Sequence, residues 1–460
     1  MTYAGPRTPQ DTWVRLLEAH PRVAAARLLP GPPPRIEIQP LAAVDETVDG
    51  WSYLFEDLYD QGADRGGDAP ARQLVGWIDG LTGKPVPEVQ MREWTDAAVD
   101  RITALRPRRV LEIGAGTGLV MGALLAAAPL DEYVATDLAA ASVRALRSIA
   151  GRAGTGVRVR VHQGAAHEGL PASESGGYDL VIVNSVAQYF PSVRYLEQVL
   201  GRAIGLMAPR GHLFLGDLRD ATLLPSYYRQ LAGDAGAEFD LERHQRRDFE
   251  LGLSPAYVKS LAGGLDAVTA VEAAPKRGRY RNEMNVFRFD AVLHVGCPPP
   301  GTSPRELTAD GAPVPAVRRH IESGGGPAVW RGLANARPGD LGGDAVDPED
   351  LWALDGLRGW RVRVGCAPGS GCGALEVWAG PQQAPDAHFG LSLPSRDAAG
   401  ATAQPALPAG RIWSLLDDLR KYLVAEGGTA AAADGRVPAL QVGRLCSPDG
   451  SVIGQEGDRP

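Results

Sequence analysis

Cysteine is scarce in this sequence, with four in 460 residues: Cys297, Cys366, Cys372 and Cys446. They show neither metal-ligand spacing nor a paired framework, which excludes a disulfide scaffold, predicts no metal, and favours a reducing compartment. An excess of positive charge is also missing: 47 basic against 55 acidic side chains give a formal charge of −8. That excludes the clustered basic face of a nucleic-acid binder; the one dense basic run, Lys276 to Arg281, is local. No window reaches eighteen apolar residues, so no membrane span is predicted. Arg7, Asp11 and Pro21 interrupt the first residues, so no secretory leader is expected and the protein is predicted to be cytoplasmic.

Patterned segments separated by glycine and proline are what the sequence does contain. "VRLLEAHPRVAAARLL" (14–29) reads as a helix followed by a strand, closed by "PGPPP". Residues 47–107 alternate aromatic helical stretches, "WSYLFEDLYD" and "MREWTDAAVDRI", with polar connections. Between 108 and 296, short apolar runs ("RRVLEIGAG", "YVATDLA", "VRVRVHQGA", "YDLVIVNSV", "GHLFLGDLR", "FRFDAVLHV") alternate with helix-length segments, the pattern of a mostly parallel sheet in an α/β layer fold. "GCPPPGTSP" (296–304) reads as a linker. Residues 305–460 are rich in Ala, Gly and Pro but retain patterned stretches, with 396–410 and the tail after Gly454 expected to be disordered.

The first strand runs into "VLEIGAGTGLV" (110–120). Gly114, Gly116 and Gly118 make G-x-G-x-G, one residue short of the dinucleotide fingerprint, and Leu119-Val120 excludes a phosphate loop. What remains is a turn that lets backbone approach a non-phosphate nucleoside. Asp137 ends the next strand, where a carboxylate can accept bonds from both ribose hydroxyls, and Glu112 can face a cationic end of the ligand. These features resemble the S-adenosylmethionine (SAM) site of class I methyltransferases. That resemblance makes Glu112, Gly114, Ala115, Gly116, Gly118, Asp137 and Leu138 donor-binding candidates. It adds Ala166 and His167 in the loop over the adenine, and Asn184 and Ser185 after the fourth strand.

"GLTGKPVPEVQMREWTDAAVDRI", "RVLEIGAGTGLV", "VIVNSVAQYFPSVRYLEQVL", "LFLGDLRD" and "RGRYRNEMNVFRFDAVLHV" resemble, in order, the motifs of N-methyltransferase domains embedded in nonribosomal peptide synthetases. The implied fold is a Rossmann-like doubly wound sheet, mostly parallel with an antiparallel edge hairpin. Residues 1–46 and 305–460 would supply a small α+β remnant of an adenylation subdomain, 47–107 a helical lid and 108–296 the donor-binding core. In the family the domain sits inside that subdomain and methylates the α-amine of a carrier-bound aminoacyl thioester. "LLDDLRKYLVAEGG" and "VGRLCSPDGSVIG" resemble the end of an adenylation domain, but Gly450-Ser451 stands where the family has Gly-Lys, so no adenylation is expected. With no large adenylation domain and no carrier motif in the sequence, the expectation is a free-standing enzyme of secondary metabolism, in the manner of antibiotic biosynthesis. Its partners would be a small-molecule amine or an aminoacyl-carrier protein, with a synthetase or carrier acting in trans.

An amine acceptor must be neutral to attack, and its pKa is roughly 8 when free. Glu283, in "RNEMN", is the candidate amine-orienting carboxylate, with Asn282 beside it to orient by hydrogen bonding and Tyr189 as a further catalytic candidate. Asp217, Arg219 and His167 are other ionisable groups expected near the acceptor. Two other readings stay open: methylation of a carboxylate or hydroxyl, and an inactive synthetase-derived interaction module.

Overall fold

The computed structural model describes residues 9–19, 23–29, 35–40, 77–154, 156–168, 170, 176–233, 248, 250–297, 304–309, 311–339, 344–367, 373–382, 403–404 and 439–442. Most of 396–410, the stretch "LLDDLRKYLVAEGG", Ser451 and the tail after Gly454 lie outside them, as do Cys372, Cys446 and residues 47–76. The chain divides into two compact units, one of Met1–Trp51, Glu242–Phe249 and Ala406–Pro460, the other of Ser52–Leu241 and Glu250–Pro405.

The larger unit is built on seven strands: β1 (Arg109–Ile113), β2 (Glu132–Asp137), β3 (Arg158–Gln163), β4 (Tyr178–Asn184), β5 (Met207–Asp220), β6 (Val268–Pro275) and β7 (Arg288–Val295). Their spatial order is β3-β2-β1-β4-β5-β7-β6. The five strands from β3 to β5 in that order run parallel, while β7 is antiparallel to both its neighbours, β5 and β6, and β6 with β7 forms the expected edge hairpin. This is the class I methyltransferase fold. Its apolar strands are buried on both faces, as helices on each side of a parallel sheet require; Leu180, Val181, Ile182 and Val183 of β4 are fully buried. Two short strands, Gly252–Leu253 and Ala403–Gln404, continue the sheet beside the end of β5.

Helix α1 (Glu88–Thr103) buries Met91, Trp94, Thr95, Ala98, Val99 and Ile102, one stripe at helical period. It packs in one core with Val110, Leu124, Tyr133, Leu146, Leu180, Ile182 and Phe214. Helices α2 (Leu119–Ala127), α3 (Ala140–Ala150) and α4 (Val193–Gly205) cross between parallel strands. A hairpin of Ile78–Asp79 and Lys84–Pro85 precedes α1, and the short helix α5 (Glu283–Phe287) opens β7. The order of strands reverses between β1 and β4, and the carboxyl ends of the strands at that switch point form the ligand crevice of open α/β sheets.

Residues beyond β7 in this unit form a second sheet of β8 (Arg305–Leu307), β9 (Ala328–Leu333), β10 (Trp360–Cys366) and β11 (Leu375–Pro381), ordered β8-β9-β11-β10. Val317, Ile321, Trp330, Val362 and Val377 make its core. In the smaller unit, helix Pro9–Glu18 leads to strands Val23–Leu29 and Arg35–Pro40, and Ala439–Val442 pairs parallel with the latter. The two ends of the chain therefore share one sheet. Among the described residues no helix is long and apolar enough to cross a membrane.

Candidate active site

The turn after β1 is left-handed at all three glycines, with φ of +74° at Gly114, +54° at Gly116 and +82° at Gly118. Only glycine takes this run without strain. The amides of Gly114 and Ala115 both donate to the carbonyl of Thr136 at 2.9 Å, which ties the turn to the end of β2. Gly118 caps the start of α2. Asp137 receives the Gly116 amide at 2.7 Å on one carboxylate oxygen and the Ala139 amide at 3.0 Å on the other. Burial raises its pKa, against the pull of those backbone amides. The carboxylate is thus aimed by the backbone it supports, with Ser142 and the Leu138 amide also acting on it.

Glu112 is buried on β1, and its Oε2 accepts the Tyr133 hydroxyl at 2.6 Å. Burial pushes its pKa up to about 8; the Tyr133 bond opposes this and the charge of Asp137 adds to it. A group raised on folding contributes stability that is complete below its ordinary value, 4.5, and is lost as pH climbs through the raised one, about 8. Thermal melts of the ligand-free protein are therefore expected to move to lower temperature between those two values. Glu112→Gln should flatten the slope, and a pH-independent wild type would remove Glu112 as its source. A cation placed at this carboxylate would ionise it and reverse the trend.

At the end of β4, Asn184 is buried, and its Oδ1 has no hydrogen-bond partner among the described residues. Two non-glycine residues next to it are left-handed: Ser185 at φ +54° and Asp217 at φ +62°. Such backbone costs about 1–3 kcal/mol per residue and collects at functional sites. Asp217 sits at a register shift of the β5–β7 ladder, between the pairs Phe289–Leu218 and Ala291–Leu215. The bulge turns its side chain into the interior, where it is fully buried. There it accepts Trp94 Nε1 at 3.0 Å and Ser185 Oγ at 2.6 Å, and pairs with Arg288 at 2.9 Å and Lys276 at 3.6 Å. Burial alone would raise its pKa, but Arg288 and Lys276 hold it below the usual carboxylate value.

Arg288 links this group to Glu283, whose Oε1 it reaches at 2.7 Å, while Glu283 Oε2 accepts the Gly80 amide at 2.7 Å. Tyr189 is half-buried in the turn after β4; burial raises its pKa, with Glu250, Arg288 and Asp217 also acting on it. Sequence reasoning set Asn282 beside Glu283 as an orienting amide. Here its Oδ1 caps α5 through the Asn285 amide at 2.9 Å and its Nδ2 donates to Gln90 at 2.8 Å, so it fixes the helix that carries Glu283. Arg281, the neighbouring cation, pairs with Asp347 instead of Glu283. Arg337, from the segment after β9, donates to the carbonyls of Lys276, Gly278 and Asn285 and so props the same loop.

His167 lies against Tyr195, with Nδ1 at 2.9 Å from its hydroxyl, and Tyr195 packs edge-on against Phe190. Ala166 stands beside it, half-buried, and Leu138 receives the Gln163 amide on its carbonyl at 3.1 Å. Arg92 is outside the cluster, in an exposed pair with Glu88. Sequence reasoning missed Arg288 and the buried Lys276. The available signal was Arg288 and Asp290 at alternate positions of a strand whose next three residues are apolar, which places two charges on one buried face.

Residues 111–213 match the family model described as "Methyltransferase domain". The chain is 31% identical over 399 residues to chondramide synthase cmdD of Chondromyces crocatus, covering 76% of this chain and 10% of that protein. It is 33% identical over 371 residues to the probable non-canonical nonribosomal peptide synthetase CymA of Salinispora arenicola, covering 76% and 4%. It therefore spans a tenth or less of the length of these curated relatives. Magnesium protoporphyrin IX methyltransferase from Synechocystis PCC 6803, solved with bound SAM, superposes with a TM-score of 0.37 at 15% identity, covering 55% of this chain and 99% of that one. Residues 111–213 therefore match a methyltransferase domain, on a sheet of class I methyltransferase order, and over three quarters of its length the chain is similar to part of the nonribosomal peptide synthetases.

Proposed function

We propose that this protein is a SAM-dependent N-methyltransferase acting on the amine of an amino acid or of an aminoacyl group held by a carrier protein. One observation carries the donor half of the reading: the side chains facing the switch point are hydrogen-bond acceptors. Asp137 at the end of β2, Glu112 within β1 and Oδ1 of Asn184 at the end of β4, which has no partner among the described residues, suit a ligand with hydroxyls at one end and positive charge at the other. A phosphate would meet repulsion there. Asp137 would hold the ribose, Glu112 and Asn184 the cationic amino-acid end, and the loop of Ala166 and His167 would lie at the base. When bound, SAM supplies a methyl group on a sulfonium, open to in-line displacement.

The acceptor half rests on the resemblance to synthetase-embedded N-methyltransferase motifs and on Glu283. This carboxylate is held between Arg288 and the Gly80 amide, on a helix fixed by Asn282 and Arg337. A carboxylate locked in one position can orient an ammonium and take its proton, which frees the nitrogen lone pair to attack the methyl group. The test is mass spectrometry of free amino acids and carrier-bound aminoacyl thioesters after incubation with the protein and SAM. A gain of one methyl on nitrogen is the expected product; an ester or ether would replace the amine reading.

Asp137→Ala is expected to weaken SAM binding by about 1–3 kcal/mol, the cost of charge-assisted bonds left unmade. Calorimetry measures this directly, and unchanged affinity would remove Asp137 from the donor site.

A further inference from the structure

At the other end of the sheet, where β5 begins and β7 finishes, three side chains converge that methyl transfer does not use. His212 and His294 are direct partners in the antiparallel β5–β7 register, so their rings stand on one face. The ring centroids are 4.9 Å apart, edge to face. Strand β7 ends at Val295, and Gly296 turns the chain with φ +61°. A Cβ at Gly296 would collide with the carbonyl of Pro209, so this turn admits only glycine. It brings Cys297 back beside Gly211, the residue before His212, with Sγ 4.0 Å from the Gly211 carbonyl.

One ligand atom from each of His212, His294 and Cys297 lies within 4.8 Å of the others. Nδ1 of His212 and Nε2 of His294 are buried without a hydrogen-bond partner among the described residues. Buried polar atoms left without a partner are costly, and a ligand that both could bind would remove that cost. We propose that His212, His294 and Cys297 form a binding site for a divalent transition-metal ion, zinc in the first instance.

Two imidazoles and a thiolate make a borderline-soft donor set, which selects zinc and its neighbours over magnesium or calcium. Zinc–ligand lengths of about 2.0–2.3 Å put tetrahedral ligands roughly 3.3–3.7 Å apart. The three side chains therefore need to draw in by about an ångström, within the reach of small side-chain rotations. In the neutral ring each imidazole offers one nitrogen lone pair to an ion, and Nδ1 of His212 and Nε2 of His294 meet no other partner among the described residues. Glu272 acts electrostatically on both rings and Asp179 on His212, while Arg101, paired with Glu272 at 3.0 Å, acts on His294 and Arg210 on Cys297, so charges of both signs surround the site. Binding releases the Cys297 proton to solvent, and three protein ligands leave the fourth position to water. The ion would clasp the start of β5 to the end of β7. His212 is five residues before Asp217 along β5, about 17 Å at strand rise, so the role is structural.

The test uses the full chain, stripped with a chelator and titrated with zinc alone in competition with a chromophoric chelator. One equivalent should bind wild type, and Cys297→Ser and His294→Gln should each weaken it by about 100-fold or more, beyond the usual loss from a merely supporting residue. Cobalt should give a thiolate charge-transfer band in wild type that Cys297→Ser abolishes. Zinc should raise the melting temperature of wild type but not of that variant. Equal zinc affinity in wild type and both variants, or no stoichiometric binding tighter than about 10 µM, overturns the site. Should His294→Gln fail to fold, Cys297→Ser carries the test, since it alters a half-buried residue just past the strand, and circular dichroism reports whether its fold is intact.

Discussion

Glu283→Gln is expected to lower turnover at saturating SAM by roughly 10²–10⁴, the range for a positioned acid–base group, with donor affinity nearly unchanged. The substitution keeps the shape of the side chain and removes its charge. In the native site one oxygen takes Arg288 and the other the Gly80 amide, so the carboxylate is held at both ends before any substrate arrives. Glutamine has a single acceptor oxygen and satisfies only one of these partners. It also presents an amide where an amine losing a proton requires an anion. The measurement is kcat and donor affinity together, on variant shown by its melting curve to be folded at the assay temperature. If donor affinity collapses while turnover at saturation stays normal, Glu283 serves the donor pocket or the fold, and Tyr189 or Asp217 becomes the better acceptor-side candidate.

Arg288→Met is expected to destabilise the larger unit by about 3–5 kcal/mol, because removing one partner of a buried ion pair strands the other. Two carboxylates are stranded here. Asp217 loses its closest cation at 2.9 Å and Glu283 its partner at 2.7 Å, both inside the fold. Lys276 remains at 3.6 Å from Asp217 and softens the loss on that side only. Arg288→Lys should recover only part of the stability, since an ammonium is a point charge and the guanidinium fork spans both acids. Urea denaturation gives the midpoints. A loss below about 1 kcal/mol would place the pair in the range of exposed salt bridges and show water in the cluster.

What the sequence by itself determined is local. The runs of strands, the stripe on α1, the G-x-G-x-G turn and the acidic ends of β1 and β2 are each written within a dozen residues. Strand alternation, helical period and glycine's access to positive φ are short-range properties. The left-handed φ at Gly114, Gly116 and Gly118, and the amide of Gly116 on Asp137, follow from that spacing. Val268–Pro275 was not singled out as a strand, because alanines give it little apolar contrast, though an edge hairpin was expected.

Tertiary structure decided which charges meet. Trp94, Ser185, Asp217, Lys276, Glu283 and Arg288 come from α1, the turn after β4, the bulge in β5, the loop after β6, α5 and β7. No spacing rule joins residues so far apart along the chain. Asn282 looked like an orienting amide because it adjoins Glu283 in sequence, and the fold spent it as a helix cap. Cys297 looked solitary until the β5–β7 register set two histidines beside it. Register is the physical reason: shifting a strand pair by one residue sends every side chain to the opposite face, so these clusters exist only once the ladder is closed.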